Sequence, residues 1–337
     1  MSTMNDAPIA DPAPFAEFPV IDLERWRSGD EDDRRQIAEQ VDYALSTSGF
    51  LMLANHGIDT ELIETVRGLS GDLFALPAEI KGRYRSPRLG SPGWLAPGVE
   101  ANGYASGEAT PADLKEAFSF GPTGDHAVVV TGRGLDESVN VYPSEIDGLG
   151  PAVDAYLDAG VALSQDLFVL LADALGLPAR TFAELCASPL HTMSITWYPP
   201  LGELAAPLPG QYRIGPHTDF GTITILQQEP SRPGLQVLMP NGEWADAPHV
   251  PGALIINCGD LLAHWSGGRW TSNMHRILAP TQADPDEGRL TLVMFFEADH
   301  DAVIRPITPV RPGASEEAIG ALEWVQAKMF AISTEEQ

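Results

Sequence analysis

Residues 214–227 read Ile-Gly-Pro-His-Thr-Asp-Phe-Gly-Thr-Ile-Thr-Ile-Leu-Gln, a His-x-Asp pattern followed at once by a strand-like run. The run 222–227 is rich in β-branched residues, and Gly, Pro and Asp separate it from other short runs of the same kind. Those other runs are 191–198, 235–239, 253–257, 273–278 and 289–296. Short strands at fairly regular spacing are typical of a sandwich or barrel.

The first half of the chain has a different pattern and reads as mostly helical. Apolar residues recur at helical spacing over 33–48 and 60–74, and Pro151 begins a long helix. Short strands are predicted at 18–23 and 50–54, and a closing helix at 315–330. We therefore expect a mainly β fold with flanking helices.

The expected organisation is a single compact unit with four parts. They are a flexible segment 1–15, a helical region 16–185 packed on the core, a β core 186–310, and a C-terminal helix and tail 311–337.

Composition excludes several classes of function. The 337 residues contain 20 basic and 47 acidic side chains, giving a formal net charge of −27, with no cluster of Lys or Arg. Such a surface repels nucleic acid and anionic membranes. Two cysteines cannot build a disulfide framework, and Asp166 and Asp173 interrupt the most apolar stretch, so we expect no membrane span. A cytoplasmic protein with no implied protein partner is the expectation.

A metal site is predicted from His217 and Asp219, which share a face if the chain is extended there. His275, on a later predicted strand, supplies a third ligand. Two histidines and one carboxylate occupy one face of an octahedral metal and leave three positions open, as in non-haem Fe(II) oxygenases. His264 and His249 compete with His275 for the third place.

A carboxylate site is predicted from Arg289 and Thr291, which alternate onto one face of a strand. A guanidinium beside a hydroxyl can bind a carboxylate through several hydrogen bonds. Tyr198 ends another strand and could add a phenolic donor. An edge-strand arginine with its head in solvent is the alternative.

The sequence offers fewer signals for the residues that contact the substrate. Phe220 follows Asp219 directly, and Phe296 is either a pocket or a core residue. The Gly- and Pro-rich stretch 86–150 carries Trp94 and Tyr104 and reads as either a lid over the substrate or a plain surface connection.

Taken in order, these motifs resemble the isopenicillin N synthase-like branch of the Fe(II)/2-oxoglutarate-dependent dioxygenases, across nearly the whole chain. The motifs are Phe18-Pro-Val-Ile-Asp-Leu23, Gly49-Phe-Leu-Met-Leu-Ala-Asn-His-Gly57, Lys115-Glu-Ala-Phe118, Trp197-Tyr-Pro-Pro200, His217-Thr-Asp219, Gly259-Asp260, His275-Arg276 and Arg289-x-Thr291.

The resemblance implies a distorted double-stranded β-helix, or jelly roll, that holds Fe(II) through His217, Asp219 and His275. It implies 2-oxoglutarate bound by Arg289, Thr291 and Tyr198, dioxygen as the oxidant, and a small-molecule substrate. No catalytic residue is implied beyond the iron ligands. Thr291 replaces the usual Ser, and Thr196 stands where many members carry Asn.

The sequence is also compatible with three alternatives. The first is an iron oxidase of the isopenicillin N synthase type that does not use 2-oxoglutarate. The second is a non-catalytic jelly roll that binds a ligand, which the presence of all three ligands disfavours. The third is a hydrolytic zinc site, in which Arg289 and Thr291 would have no evident role.

Overall fold

The computed structural model describes residues 18–124, 127–187, 189–204, 206–228, 234–281 and 286–334. The segment 1–15, predicted to be flexible, lies outside the described residues, as do residues 335–337 at the end of the predicted tail.

Seven α-helices occur in these described ranges, and several begin at a polar cap. Asp30, for example, precedes α2 and accepts a hydrogen bond from the Asp33 backbone N–H at 2.9 Å. The helices are α1 Leu23–Ser28, α2 Glu31–Thr47, α3 Thr60–Ala75, α4 Ala78–Lys81, α5 Leu149–Ala174, α6 Asp260–Trp265 and α7 Ala321–Ile332.

Most of the strands belong to two sheets. The strands are β1 Val20–Asp22, β2 Phe50–Ala54, β3 Gly93–Leu95, β4 Glu116–Phe120, β5 Val128–Thr131, β6 Gly134–Glu137, β7 His191–Tyr198, β8 Ile214–His217, β9 Ile223–Gln227, β10 Leu235–Leu238, β11 Trp244–Asp246, β12 Leu254–Cys258, β13 His275–Ile277, β14 Arg289–Phe296, β15 Val303–Ile304 and β16 Ile319–Gly320.

The major sheet has eight strands in the order β1-β2-β12-β9-β14-β7-β4-β3, and the minor sheet has four in the order β11-β10-β13-β8. The chain crosses repeatedly between the two sheets in its second half, which is the arrangement of a double-stranded β-helix. The pairs β5–β6 and β15–β16 stand apart.

The side-chain alternation of the major sheet separates two environments. On β14, Leu290, Leu292, Met294 and Phe296 enter the large core that packs against the helices. The intervening residues face the other side, towards the minor sheet. A second apolar cluster fills part of that side; its buried members are Phe50, Met52, Leu235, Val237, Met239, Ala247 and Ile255. The polar site described below lies on this same face.

Helix α5 has the length and the hydropathy, 1.4 over its most apolar window, of a membrane span, and 56% of that window is buried within the fold. The sequence-based expectation was that Asp166 and Asp173 make this stretch too polar to cross a membrane. The helix passes that test of length and hydropathy in spite of the two aspartates. Both aspartates are paired with α1 and α2: Asp173 Oδ2 lies 2.8 Å from Arg34 Nη2, and Asp166 Oδ2 accepts from Arg27 Nε at 2.9 Å.

The stretch 86–150 is more ordered than a loop. It contains β3, β4, β5 and β6, and β3 and β4 extend the edge of the major sheet through the pairing of β4 with β7. The region 16–185, predicted to be helical, thus supplies four strands of the major sheet. The strands within 86–150 were missed because they are short and interrupted by Gly and Pro, so no alternation of useful length exists in the sequence.

Candidate active site

Three ligand side chains meet where the two sheets approach. Strand β8 ends at His217, Asp219 follows it, and His275 begins β13 and pairs across the strands with His217. The Nε2 atoms of both histidines lie 3.7 Å from Asp219 Oδ1. The three ligand atoms lie within 4.8 Å of one another, and all three residues are buried.

Hydrogen bonds orient both imidazoles. His217 Nδ1 lies 2.8 Å from the Gly215 carbonyl oxygen, and His275 Nδ1 lies 3.1 Å from the Asn273 carbonyl oxygen. A carbonyl oxygen only accepts, so each Nδ1 must carry the proton. Each Nε2 is therefore left as a lone-pair donor aimed at the point between the three ligands.

Two residues that the sequence analysis missed hold the carboxylate of Asp219. Its Oδ2 atom accepts hydrogen bonds from Thr224 Oγ1 and Asn257 Nδ2, both at 2.6 Å. This leaves Oδ1 directed at the histidines. A signal for Asn257 existed: it is the one amide in the otherwise apolar run Leu254-Ile-Ile-Asn-Cys258.

The protonation states suit a divalent cation. Burial, together with the neighbouring His275, lowers the pKa of His217 to about 3. Burial acts to raise the pKa of Asp219, but His275, His217 and the two hydrogen-bond donors outweigh it and hold that pKa below its ordinary value. Neutral imidazoles and an ionised carboxylate are the forms that bind metal. Two nitrogens and one oxygen on one face match Fe(II).

The predicted carboxylate site assembles on the neighbouring strands. Arg289 on β14 pairs with Tyr198 on β7, and Thr291 pairs with Thr196, so their side chains share one face. Arg289 forms an ion pair with Glu287. Thr291 Oγ1 is buried and has no hydrogen-bond partner among the described residues. An unpartnered buried hydroxyl beside a guanidinium fits a carboxylate ligand such as that of 2-oxoglutarate.

A second arginine, absent from the sequence-based prediction, lies near this site. Arg213 is 1% exposed, and its Nη1 atom lies 3.7 Å from Glu287 Oε2. Its Nε has no hydrogen-bond partner among the described residues. Burial lowers the pKa of Arg213, and the proximity of Arg289 adds to that effect. Glu287 therefore lies between two cations, which offsets their repulsion.

A cavity opens beside the metal ligands on the same face of the major sheet. Its empty space, including the solvent at its open mouth, is about 1010 Å³. Helix α7 forms one wall through Val325, Met329 and Ile332, and Lys328 on that helix lies 3.2 Å from Asp260. The polar lining residues include Glu100, Asn102, Lys115, Ser119, His191, Thr192, Ser194, Thr196, Tyr198, His217, Asp219 and Glu297.

Of the four residues assigned to the substrate side, Phe220 lines this cavity and three do not. Trp94 and Phe296 are both in the large core on the helix side of the sheet. Their neighbours Leu95 and Phe295 line the cavity instead, because adjacent strand residues point to opposite faces. Tyr104 lies on the 3-10 helix Asn102–Ser106 without reaching the cavity, since residues two apart on such a helix point in different directions.

The competing histidines lie apart from the three ligands. His264 is on α6, and its Nε2 lies 2.7 Å from the Glu317 carbonyl oxygen. His249 follows β11 and is not in the cluster that the described residues form. The strand pairing of His275 with His217 is what brings His275 to the site.

Comparison with known proteins agrees with this geometry. Residues 18–144 match the family model described as non-haem dioxygenase in morphine synthesis N-terminal, and residues 191–298 match that of the 2OG-Fe(II) oxygenase superfamily. Validamycin A dioxygenase of Streptomyces hygroscopicus subsp. limoneus is 36% identical, over 94% of this chain and 87% of the relative. This chain belongs to the Fe(II)/2-oxoglutarate-dependent dioxygenases.

Two further relatives extend the comparison. The 2-oxoglutarate-dependent dioxygenase thnC of Trichoderma harzianum is 32% identical, over 90% of this chain and 91% of the relative. The crystal structure of the thymine 7-hydroxylase of Neurospora crassa in complex with alpha-KG and thymine superposes with a TM-score of 0.80 at 27% identity, covering 93% of this chain and 96% of that one.

The dioxygenase thus has the double-stranded β-helix fold predicted from its sequence, and that prediction is confirmed. The predictions of an enzyme and of Fe(II), 2-oxoglutarate and dioxygen as its cofactor and cosubstrates are confirmed by the same relatives. The relatives support neither a non-catalytic jelly roll nor a hydrolytic zinc enzyme.

Proposed function

We propose that this dioxygenase couples the decarboxylation of 2-oxoglutarate to succinate with the oxidation of a small-molecule substrate held in the cavity. The observation that supports this is the lining of the cavity, which includes Tyr198 together with His217 and Asp219. Sites for small molecules are clefts lined mostly by apolar side chains, with a few polar groups that fix the orientation of the ligand. The lining of this cavity has that character, with the α7 side chains as an apolar wall and His217 and Asp219 among its polar groups.

The metal ligands and the predicted carboxylate site have separate roles in this proposal. His217, Asp219 and His275 hold Fe(II), which when bound supplies the reactivity toward dioxygen and 2-oxoglutarate. Arg289 and Thr291 bind the distal carboxylate of 2-oxoglutarate and thereby set its orientation.

Other parts of the chain position the ligands and keep the site dry. Tyr198 presents its buried phenol to the cosubstrate; burial raises its pKa while Lys115 acts in the opposite direction, so the phenol stays protonated and can donate. Thr224 and Asn257 fix the carboxylate of Asp219. The apolar wall of α7 limits the access of water to the reacting carbon.

The comparisons support a small-molecule substrate without specifying which one. One relative is named for validamycin A, and the Neurospora crassa enzyme is described in complex with thymine. The acidic surface, with its net charge of −27, supports the same proposal because it disfavours nucleic acid as a partner.

The test begins with the metal and cosubstrate. Anaerobic addition of Fe(II) and then 2-oxoglutarate should produce the weak visible charge-transfer band of the bound pair. Air should then yield succinate, and a panel that includes validamycin A and thymine should identify compounds that raise the succinate yield and are themselves oxidised. His275→Ala should lose the band and the turnover, whereas His264→Ala should retain both.

Two outcomes would contradict the proposal. If His275→Ala kept iron and activity while His264→Ala lost them, the third ligand would be wrong. If the wild-type enzyme oxidised its substrate with no requirement for 2-oxoglutarate, the carboxylate site would serve the substrate, as in an oxidase of the isopenicillin N synthase type.

A further inference from the structure

Glu297 is an acidic side chain in the cavity that the reaction described above does not use. It follows the last residue of β14, and its backbone N–H donates to the Leu190 carbonyl oxygen at 2.8 Å. Its side chain continues the alternation of Val293 and Phe295 and lines the cavity with them.

The carboxyl group of Glu297 is only partly satisfied. Its Oε2 atom is inaccessible to water and has no hydrogen-bond partner among the described residues. Gly221 leaves room for it, because a Cβ there would lie 2.1 Å from Oε2. Burial, with Asp219 and Asp260 nearby, raises the pKa of Glu297 to about 8. A carboxyl group without a donor is unfavourable. Oε2 lies against Gly221 and is closed to the cavity, so Oε1 is the oxygen to which a ligand in the cavity would donate.

That ligand is not the cosubstrate. Arg289 begins β14 and Glu297 follows its end, and the strand is eight residues long. At about 3.3 Å per residue the two residues are separated by roughly 26 Å along the strand. Glu297 is therefore positioned for the substrate.

The surroundings indicate the chemistry of the missing donor. Among the described lining residues the lysine is Lys115, and its Nζ is already paired with Glu100 Oε2 at 2.7 Å. Hydroxyl groups of Thr192 and Ser194 line the same face of the sheet. His191, which also lines the cavity, directs its Nδ1 at the Pro189 carbonyl oxygen, and burial lowers its pKa. A cationic donor is therefore what this end of the cavity lacks.

We propose that Glu297 determines specificity by accepting a hydrogen bond from a protonated amino group of the substrate. This inference rests on the proposed function in one respect, since it requires that the substrate occupies this cavity. The substrate class is then a small aliphatic molecule that carries an amine and is anchored by Glu297 beyond the iron, at the end of the cavity remote from Arg289.

The test compares two probes of matched shape, cyclohexylmethylamine and cyclohexylmethanol. Calorimetric titration is made without oxygen, at a pH of about 9, into the wild-type enzyme loaded with Fe(II) and 2-oxoglutarate, because Glu297 is ionised and an aliphatic amine is still protonated at that pH. A charged hydrogen bond should favour the amine over the alcohol by about tenfold or more. Glu297→Gln, which keeps the shape but not the charge, should lower the amine affinity about tenfold and leave the alcohol affinity nearly unchanged.

Control variants separate the local effect from a general loss of charge or of folding. Glu323→Gln removes one carboxylate from the exposed face of α7 and should leave both affinities unchanged. Glu297→Asp, with a shorter side chain, should weaken the amine to an intermediate degree. It provides a second measurement if Glu297→Gln folds poorly.

The inference is overturned by equal losses for both probes, by an unchanged amine affinity in Glu297→Gln, or by no measurable binding of the amine to the wild-type enzyme. Because the titration measures binding and not succinate, each of these results leaves the proposed function standing. A failure to form succinate with any substrate would contradict that function and not this inference.

Discussion

At the scale of single residues, the geometry of Asp219 depends on two neighbours, Thr224 and Asn257, that support it from behind. They come from β9 and β12, adjacent strands of the major sheet, and both donate to Oδ2. Each occupies the face of its strand that points away from the helices. The carboxylate is thereby held with Oδ1 directed at the histidines before any metal binds.

Thr224→Val should therefore weaken Fe(II) binding by about 10- to 100-fold, since loss of a partner that orients a ligand has effects of that order. Valine keeps the shape of threonine, so the fold should be retained. Anaerobic titration of the metal-free protein with Fe(II) measures the effect. Thr65→Val, which removes an exposed hydroxyl from α3, is the control. Equal affinities in the two variants would mean that Thr224 does not support the ligand.

Arg289→Ala should reduce 2-oxoglutarate binding by on the order of 2–5 kcal/mol, because the charged hydrogen bond from a buried guanidinium to the carboxylate is lost. Thr291→Val should cost only about 1 kcal/mol, the contribution of one neutral hydrogen bond. Titration of the Fe(II)-loaded protein with 2-oxoglutarate gives both values.

The control for Arg289 is Arg269→Ala, at an arginine outside the candidate active site. Arg269 donates two hydrogen bonds of 2.6 Å to the carboxylate of Asp42, and the substitution removes both. It should leave 2-oxoglutarate binding unchanged. Unchanged binding in Arg289→Ala itself would place the carboxylate site elsewhere.

At the scale of elements, strand β3 shows that two adjacent residues of one strand can face different environments. Leu95 faces the cavity, and Trp94 faces the helices, where its indole N–H donates to Glu116 Oε2 at 2.6 Å. Lys81 Nζ contacts the same carboxylate at 2.8 Å and lies 5.6 Å from the Trp94 ring centroid. This arrangement couples the edge of the major sheet to α4.

Trp94→Ala should therefore act on stability. Truncating a buried aromatic costs about 3–5 kcal/mol, and the ratio of product to succinate should stay at its wild-type value. Urea unfolding and a coupling assay measure the two quantities. Trp244→Ala, at a half-buried position on β11, should cost less. A stable Trp94→Ala protein that forms succinate without product would restore Trp94 to the substrate side.

At the scale of the whole molecule, buried histidines and a buried carboxyl act in opposite directions on the pH dependence of stability. Burial lowers the pKa of His56 below its ordinary value, so the folded state takes up a proton less readily than the unfolded chain. The contribution of neutral His56 to the free energy of unfolding is complete above the ordinary histidine pKa and is lost as the pH falls below it. Glu297, with its raised pKa, contributes in the opposite sense over an overlapping range.

The contribution of His56 can be measured by comparing the pH dependence of stability in the wild-type protein and in His56→Gln. His56 Nδ1 accepts a hydrogen bond from the Ile58 backbone N–H at 3.1 Å, an interaction that protonation removes. Between a pH of about 7.5 and one of about 5.5, which bracket the ordinary histidine pKa, the wild-type protein should therefore lose more unfolding free energy than His56→Gln, which does not titrate. Urea unfolding of both proteins at the two pH values tests this. Parallel pH dependences would mean that His56 titrates alike in the folded and unfolded states.

The sequence by itself determined those features that depend on local order along the chain. The long strands β7 and β14 fall at the predicted residues. Helices α2 and α3 begin and end close to their predicted limits, and α5 begins close to its predicted start, because their apolar spacing is long and regular. The three metal ligands were identifiable because His217 and Asp219 form a His-x-Asp motif and His275 lies on a later predicted strand. The family followed from the order of motifs.

Only the tertiary structure decided which side of the sheet each neighbour occupies. Trp94 and Phe296 were assigned to the substrate side, yet each lies one residue from the side chain that lines the cavity, since alternation reverses the face at every step. Thr224, Asn257, Arg213 and Glu297 carry no motif of their own. They acquire their positions from strand pairings between distant parts of the chain, and the physical chemistry of the site arises from those pairings.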